Sequence, residues 1–228
     1  MMKIMIIAAH PDDAEFSIGG TIAKHTLQGD EVYLLNLTNG EPTPYGSVET
    51  RLKEAEKADK ALGITQRIIM DFPNRYLEET IENRKQVAAY IREYQPDVLL
   101  VQYHVDQHPD HIAASQLGTA ARFYAKLSKS DIPGEPFYPT KILYYYTSHF
   151  RLDTTPSFIL PINEEAFKLK MKASFAYESQ LKNHQKKIKL SDRLEMMTRQ
   201  YGARINSEYG EPFYTPEVIP IKGLENFI

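Results

Sequence analysis

Short apolar runs of strand type alternate along this chain with longer stretches of helix formers. That alternation constrains the fold more than any other feature. Residues 4–9, 32–37, 67–70 and 98–101 read as strands. Residues 14–28, 49–62, 81–94 and 111–127 read as helices, with Gly29, Gly63 and Pro96 marking three of the ends. Parallel strands need a crossover between them, and a helix is the usual one. A β-α-β-α order therefore predicts a mostly parallel sheet with helices on both faces. The runs at 4–9 and 98–101 are apolar at every position, as strands buried on both faces are. Further strands are expected at 141–147 and 157–160, and helices at 164–177 and 190–205. Residues 38–48 and 128–139 hold the turn formers and read as loops, and the tail from Phe213 reads as irregular. A single domain over residues 1–228 is expected.

Composition removes several classes. The net charge is −3, which gives no support to a nucleic-acid partner. The chain has no Cys, so disulfide scaffolds and Cys-based zinc sites are excluded. Any metal must be held by His, Asp, Glu or backbone oxygen. The apolar start at 4–9 is too short for a signal-peptide core, and no run is long enough to insert in a membrane. A cytoplasmic location follows as the expectation.

Two phrases carry the chemistry. His10-Pro11-Asp12-Asp13-Ala14-Glu15 follows the first strand, and Asp106-Gln107-His108-Pro109-Asp110-His111 follows the fourth. In an open α/β sheet ligands bind beyond the carboxyl ends of strands. Capping would explain Asp12 and Asp13 at a helix start, but it does not explain His10. His10, Asp13 and His111 combine as a two-His, one-carboxylate set, suited to an open zinc site or to non-haem Fe2+. Residue type leaves open which of Asp12 and Asp13 binds metal and which acts as base. The additional acids favour hydrolysis, and His108 with Asp110 offers a cationic stabiliser for an oxyanion. Gly19-Gly20 would let the first helix pack closely on the sheet. The alternatives are an iron oxygenase with the same ligands, a nucleotide-binding module and a catalytically dead relative. The first turn lacks G-x-G-x-x-G, which speaks against nucleotide. The complete acid and His set speaks against a dead relative.

The early A-H-P-D-D-A-E and the later D-x-H-P-D-H resemble the PIG-L/LmbE family of zinc-dependent de-N-acetylases. Leu37-Thr38-Asn39-Gly40-Glu41, Glu49 to Ala55, Leu62-Gly63 and Ser179-Gln180 fit the same pattern. The ending Glu208-Tyr209-Gly210-Glu211-Pro212-Phe213 is similar to a short bacterial branch that deacetylates N-acetylglucosaminyl malate in bacillithiol synthesis. The resemblance implies an α/β, Rossmann-like three-layer fold. It also implies Zn2+ on His10, Asp13 and His111, and Asp12 as general base. It further implies a small amino-sugar substrate and a homo-oligomer, with a hexamer as the expected form. Many family members carry His where this chain has Tyr177.

Several roles remain as expectations. Asp110 would orient His108 and favour its protonated form. Arg51 would bind a sugar hydroxyl or an anionic aglycone such as malate, unless it pairs with Glu54 on its own helix. Glu15 and Asp106 would support the ligands or the substrate. Tyr145 and Tyr146 belong to a half-buried strand. Lys182, Lys186, Lys187 and Lys189 form solvated surface. The loop at 128–139 would serve as a lid or a subunit contact.

Overall fold

A computed structural model describes residues 1–147, 154–182, 188–220 and 223. The expected alternation holds through β1 (Lys3–Ala8), α1 (Asp13–Leu27), β2 (Glu31–Asn36), α2 (Val48–Leu62), β3 (Gln66–Ile69), α3 (Ile81–Tyr94), β4 (Val98–Gln102), α4 (Pro109–Ala125) and β5 (Lys141–Tyr145). Then come β6 (Phe158–Ile162), α5 (Glu164–Ala176), α6 (Glu178–Leu181), α7 (Leu190–Ala203) and β7 (Tyr209–Tyr214). The sheet order is β3-β2-β1-β4-β5-β7-β6. The first five strands are mutually parallel, and β7 runs antiparallel to both β5 and β6.

The apolar run of β1 is explained by its two faces. Ile4, Ile6 and Ala8 pack with residues of α1, α2 and α5. Met5 and Ile7 pack with residues of α3 and α4 on the other side. Side chains alternate across a strand, so a strand covered on both faces must be apolar at every position. The chain moves from β1 to β2 and β3 on one flank, then returns to place β4 on the other. The loops leaving β1 and β4 therefore part from each other, and a crevice opens between them.

Three expectations change. The tail is not irregular at its start: Phe213 and Tyr214 close β7 (Tyr209–Tyr214), a strand with no counterpart in the sequence reading, which fills the gap between β5 and β6. Gly210 and Pro212 hide this strand from a periodicity reading, and partners on both sides override their weak strand propensity. The 128–139 loop is not a lid. It leads into Lys141, which is in register with Val98 at the start of β4, so it lies at the amino edge of the sheet, away from the crevice. Gly19 receives helix α5 rather than the sheet, because a Cβ there would stand 2.9 Å from Lys170 Cγ. Gly20 does face the sheet, against Ile162 and Glu211.

Helix α1 is interrupted at Ile18, whose φ is −126° and ψ 24°. Two buried charges take over the lost helical bonds. Lys170 Nζ donates to the Ser17 carbonyl at 3.0 Å. Glu211 accepts from the Gly20 and Thr21 amides at 3.0 and 2.7 Å and from the Thr21 hydroxyl at 2.6 Å. The two charges pair with each other at 2.6 Å.

Candidate metal-binding active site

His10 ends the β1 segment, and the backbone turns at Asp12, which is left-handed with φ 110°. That conformation is costly for a non-glycine residue. Asp12 makes no side-chain capping bond, so capping does not explain it. Its Oδ2 instead accepts from Arg51 Nη1 at 2.6 Å. Asp13 opens α1 and stands between two imidazoles. Its Oδ2 is 3.2 Å from His10 Nδ1, and its Oδ1 is 3.1 Å from His111 Nε2. Residues from both phrases thus converge on one carboxylate.

A second acid backs each imidazole. Asp110 Oδ2 lies 3.0 Å from His10 Nε2, and Asp106 Oδ1 lies 3.2 Å from His111 Nδ1. Carboxylates placed behind histidines fix ring orientation and raise ligand basicity. His10, Asp13 and His111 each offer a ligand atom within 4.8 Å of the others, and all three are buried. His10, His108 and Asp110 form a second such group. Two nitrogens and an oxygen donor fit a divalent ion of the zinc or iron type.

The protonation pattern points to a cation as well. Burial disfavours charge on His10 and His111, yet the neighbouring carboxylates outweigh it. His10 rises to about 9, with Asp13 and then Asp110 as its partners. His111 rises to about 10 beside Asp13 and Asp106. Burial works against ionisation of Asp13 too, but His111 and His10 hold its carboxyl well below the usual range. Without metal, protons on the imidazoles balance these acids. That balance stabilises the fold below the ordinary histidine value of 6.5, and it is lost as pH rises through about 9 to 10. Metal needs both ring nitrogens free of protons. Loading at pH 7 should therefore release about two protons, and apparent affinity should climb roughly a hundredfold per pH unit below pH 9. Zinc titration calorimetry in buffers of different ionisation enthalpy measures this, and metal uptake with no net proton release would contradict the arrangement.

Asp12 differs from its neighbour. Burial pushes it up to about 7, against the pull of the Arg51 guanidinium and with help from the Asp13 charge. It has the pKa a general base needs near neutral pH.

The His108–Asp110 expectation needs correction. The Asp110 carboxylate serves His10 and the Arg75 and Leu77 amides, at 2.7 and 3.3 Å for the latter two. Among the described residues the His108 ring receives only the Asp110 backbone amide, at 3.2 Å on Nδ1, as the cap of α4. Burial, with His111 and His10 beside it, lowers His108 to about 4. It is neutral at pH 7, with Nδ1 accepting and Nε2 left to carry the proton. A bound cation acts in the same direction.

Other expectations divide. Arg51 faces the site and is buried, but its partners are Asp12, the Pro11 carbonyl at 2.8 Å and Glu41 at 3.3 Å, not Glu54. Glu54 accepts from the Ser179 amide and hydroxyl instead. Asp106 supports His111 and also accepts from Thr147, so it is not a substrate contact. Glu15 is fully buried and does not reach the cavity. Its Oε1 takes Arg67 at 2.6 Å and the Tyr177 hydroxyl at 2.5 Å. Arg67 continues to Asn36 Oδ1 at 2.7 Å, and Asn36 Nδ2 donates to the His10 carbonyl at 2.8 Å. Glu15 thus supports His10 through two intermediates, and Tyr177 acts on Glu15 rather than on the site. Tyr145 is wholly buried, its hydroxyl on the Ile7 carbonyl at 3.1 Å. Lys182 and Lys189 are exposed, while Lys186 and Lys187 lie outside the described residues.

Sequence reasoning missed Asn36, Arg67, Gln102 and Arg75. Gln102 Nε2 donates to Asp13 Oδ2 at 3.2 Å, and its Oε1 accepts from the Ala9 amide at 2.8 Å. The usable signal was a polar side chain closing an apolar strand, at Asn36 in β2 and Gln102 in β4. The cavity over the site, about 220 Å³, is walled by His10, Asp12, Asp13, His108 and His111 on one side. Gly40, Pro42, Thr43, Asn74, Arg75 and Gln180 complete the wall. Among the described residues no helix is long and apolar enough to cross a membrane.

Comparison with known proteins finds relatives over most of the chain. A diacetylchitobiose deacetylase of Thermococcus kodakarensis is 31% identical over 193 residues, covering 78% of this chain and 70% of that protein. A 1D-myo-inositol 2-acetamido-2-deoxy-alpha-D-glucopyranoside deacetylase of Nocardiopsis dassonvillei is 28% identical over 172 residues, 60% of each chain. The crystal structure of the conserved protein TT1542 from Thermus thermophilus superposes with a TM-score of 0.88 at 33% identity, over 97% of this chain and 98% of that one. The family model described as GlcNAc-PI de-N-acetylase matches residues 5–122, which include every residue of the two phrases, and this chain belongs to that PIG-L family.

Proposed function

We propose that this chain is a metal-dependent N-deacetylase that releases acetate from an N-acetylglucosamine-containing small molecule. The observation that carries the reading is Asp13 bridging His10 and His111, with the permanently charged Arg51 holding Asp12 beside them. His10, Asp13 and His111 would hold the ion, with zinc as the first choice. A bound divalent ion supplies a Lewis acid and an acidified water.

Asp12 accepts a proton from the attacking water as its oxygen bonds to the acetamide carbon. His108 Nε2–H donates to the carbonyl oxygen as negative charge gathers there. A neutral imidazole can do this, and one such donor is worth roughly 3 kcal/mol of transition-state stabilisation. The C–N bond then breaks, and Asp12 returns its proton to the departing nitrogen. Acetate and the free amino sugar leave. Arg51 keeps the Asp12 carboxylate in place throughout.

N-acetylglucosaminyl malate is the substrate we put first, on the likeness of the C-terminal motif to the short bacterial branch. Diacetylchitobiose is a second reading, favoured by the relative that is 31% identical over most of this chain. The oxygenase alternative has no support among these relatives, which are named as deacetylases. Acetate release from a panel of N-acetylglucosaminides, with and without added zinc, tests the proposal. His111→Ala is expected to purify without stoichiometric metal and to release no acetate. A full zinc complement in that variant would remove His111 from the ligand set.

A further inference from the structure

Among the described residues two guanidinium groups line the cavity, and their surroundings differ. Arg51 is buried, and two carboxylates, Asp12 and Glu41, meet its charge. Arg75 is exposed at the outer wall. Its Nη2 donates to the neutral Pro42 carbonyl at 2.6 Å, and it has no acidic partner among the described residues. The expected anion-binding role of Arg51 is thus already filled by acids of the protein. Among the described lining residues, Arg75 is the cationic side chain left to meet an anion from outside.

The backbone supports a role for this residue. Arg75 is left-handed, with φ 69°. A non-glycine residue in that conformation costs of order 1 kcal/mol or more and persists only where its surroundings hold it. Here its amide donates to Asp110 Oδ2 at 2.7 Å, and the same oxygen lies 3.0 Å from His10 Nε2. The turn that presents Arg75 is therefore tied to an acid that also positions a candidate ligand. The bond to Pro42 joins the loop after β3 to the loop after β2, which also lines the cavity.

We propose that Arg75 is a specificity-determining residue whose guanidinium binds a carboxylate on the aglycone, so that the preferred substrates are anionic glucosaminides. This rests on the deacetylase reading above. A planar fork of donors matches a carboxylate in a way that an amide or hydroxyl does not. Neutral aglycones such as a second sugar or an inositol ring offer only hydroxyl acceptors and would gain less from it.

The test compares N-acetylglucosaminyl malate with the neutral methyl N-acetylglucosaminide, on wild type, Arg75→Gln and Arg75→Lys. Arg75→Gln should lose roughly ten- to a hundredfold in kcat/KM on the malate glycoside, mostly through KM, the range expected for a charge-assisted pair. It should change the methyl glycoside by less than about twofold, since the neutral aglycone offers no charge to pair. Arg75→Lys should recover part of the loss, and added salt should narrow the wild-type preference. Equal loss on both substrates would make Arg75 a prop for the loop and overturn the proposal, as would no change on the malate glycoside. Equilibrium binding of the same two compounds to wild type and Arg75→Gln reads the contact without turnover. A wild type that binds the malate glycoside more tightly, through Arg75, but releases no acetate would defeat the deacetylase reading and leave this one standing.

Discussion

Asp12→Asn is expected to lower acetate release about 10²- to 10⁴-fold, the usual worth of a positioned general base, while metal content stays at the wild-type level. The amide has the size of the carboxylate and can still accept from Arg51 Nη1, but it cannot take a proton from water. Asp12 does not bridge the imidazoles, so the donor set of His10, Asp13 and His111 is untouched. Single-turnover acetate release with metal analysis of the same sample separates the two effects. Near-normal turnover would remove Asp12 from the mechanism. The wild-type rate should fall as pH drops below the Asp12 pKa, because only the carboxylate accepts a proton. That value is about 7 in the metal-free protein, and a bound cation moves it lower, so the acid limb should lie at or below about 7.

Lys170→Met should cost roughly 3–5 kcal/mol of stability, the range for removing one partner of a buried ion pair. For a chain of this size that corresponds to roughly 6–20 °C in Tm. Lys170 is 2% exposed and Glu211 1%. The unbranched Met stem keeps the packing against Gly19, so the loss isolates the charge and its bond to the Ser17 carbonyl. Glu211 would remain buried, with three donors but no counter-charge. Adding Glu211→Gln should restore part of the loss, because the amide carries no charge to strand. Thermal unfolding of the single and double variants reads this directly. A single variant as stable as wild type would show that the pair does not hold the break in α1.

The parallel sheet was legible because burial on two faces leaves an unmistakable pattern, as in Ile4-Met5-Ile6-Ile7. β7 was not, because Gly210, Glu211 and Pro212 follow no strand period and are held by neighbours that come from elsewhere in the chain. Glu211 illustrates the difficulty. Among glycine and proline it looks like surface, yet it is buried against Thr21 and Lys170, which lie far from it in sequence. Arg67 likewise reads as one polar residue in a short strand, although it joins Glu15, Asp59 and Asn36.

Layer order, donor types and the two strand ends that carry them are readable from the chain alone, since they follow from local periodicity and from side-chain chemistry. How the charges are shared is set by the packed fold. The register of β1 beside β4 sets Asp110 against His10 rather than His108. The start of α2 sets Arg51 against Asp12 and Glu41, while Arg75 meets a backbone carbonyl of the loop after β2 and no acid among the described residues. Those pairings depend on distances of a few ångströms between segments up to a hundred residues apart. No local pattern encodes such distances, because they are properties of the packed sheet as a whole.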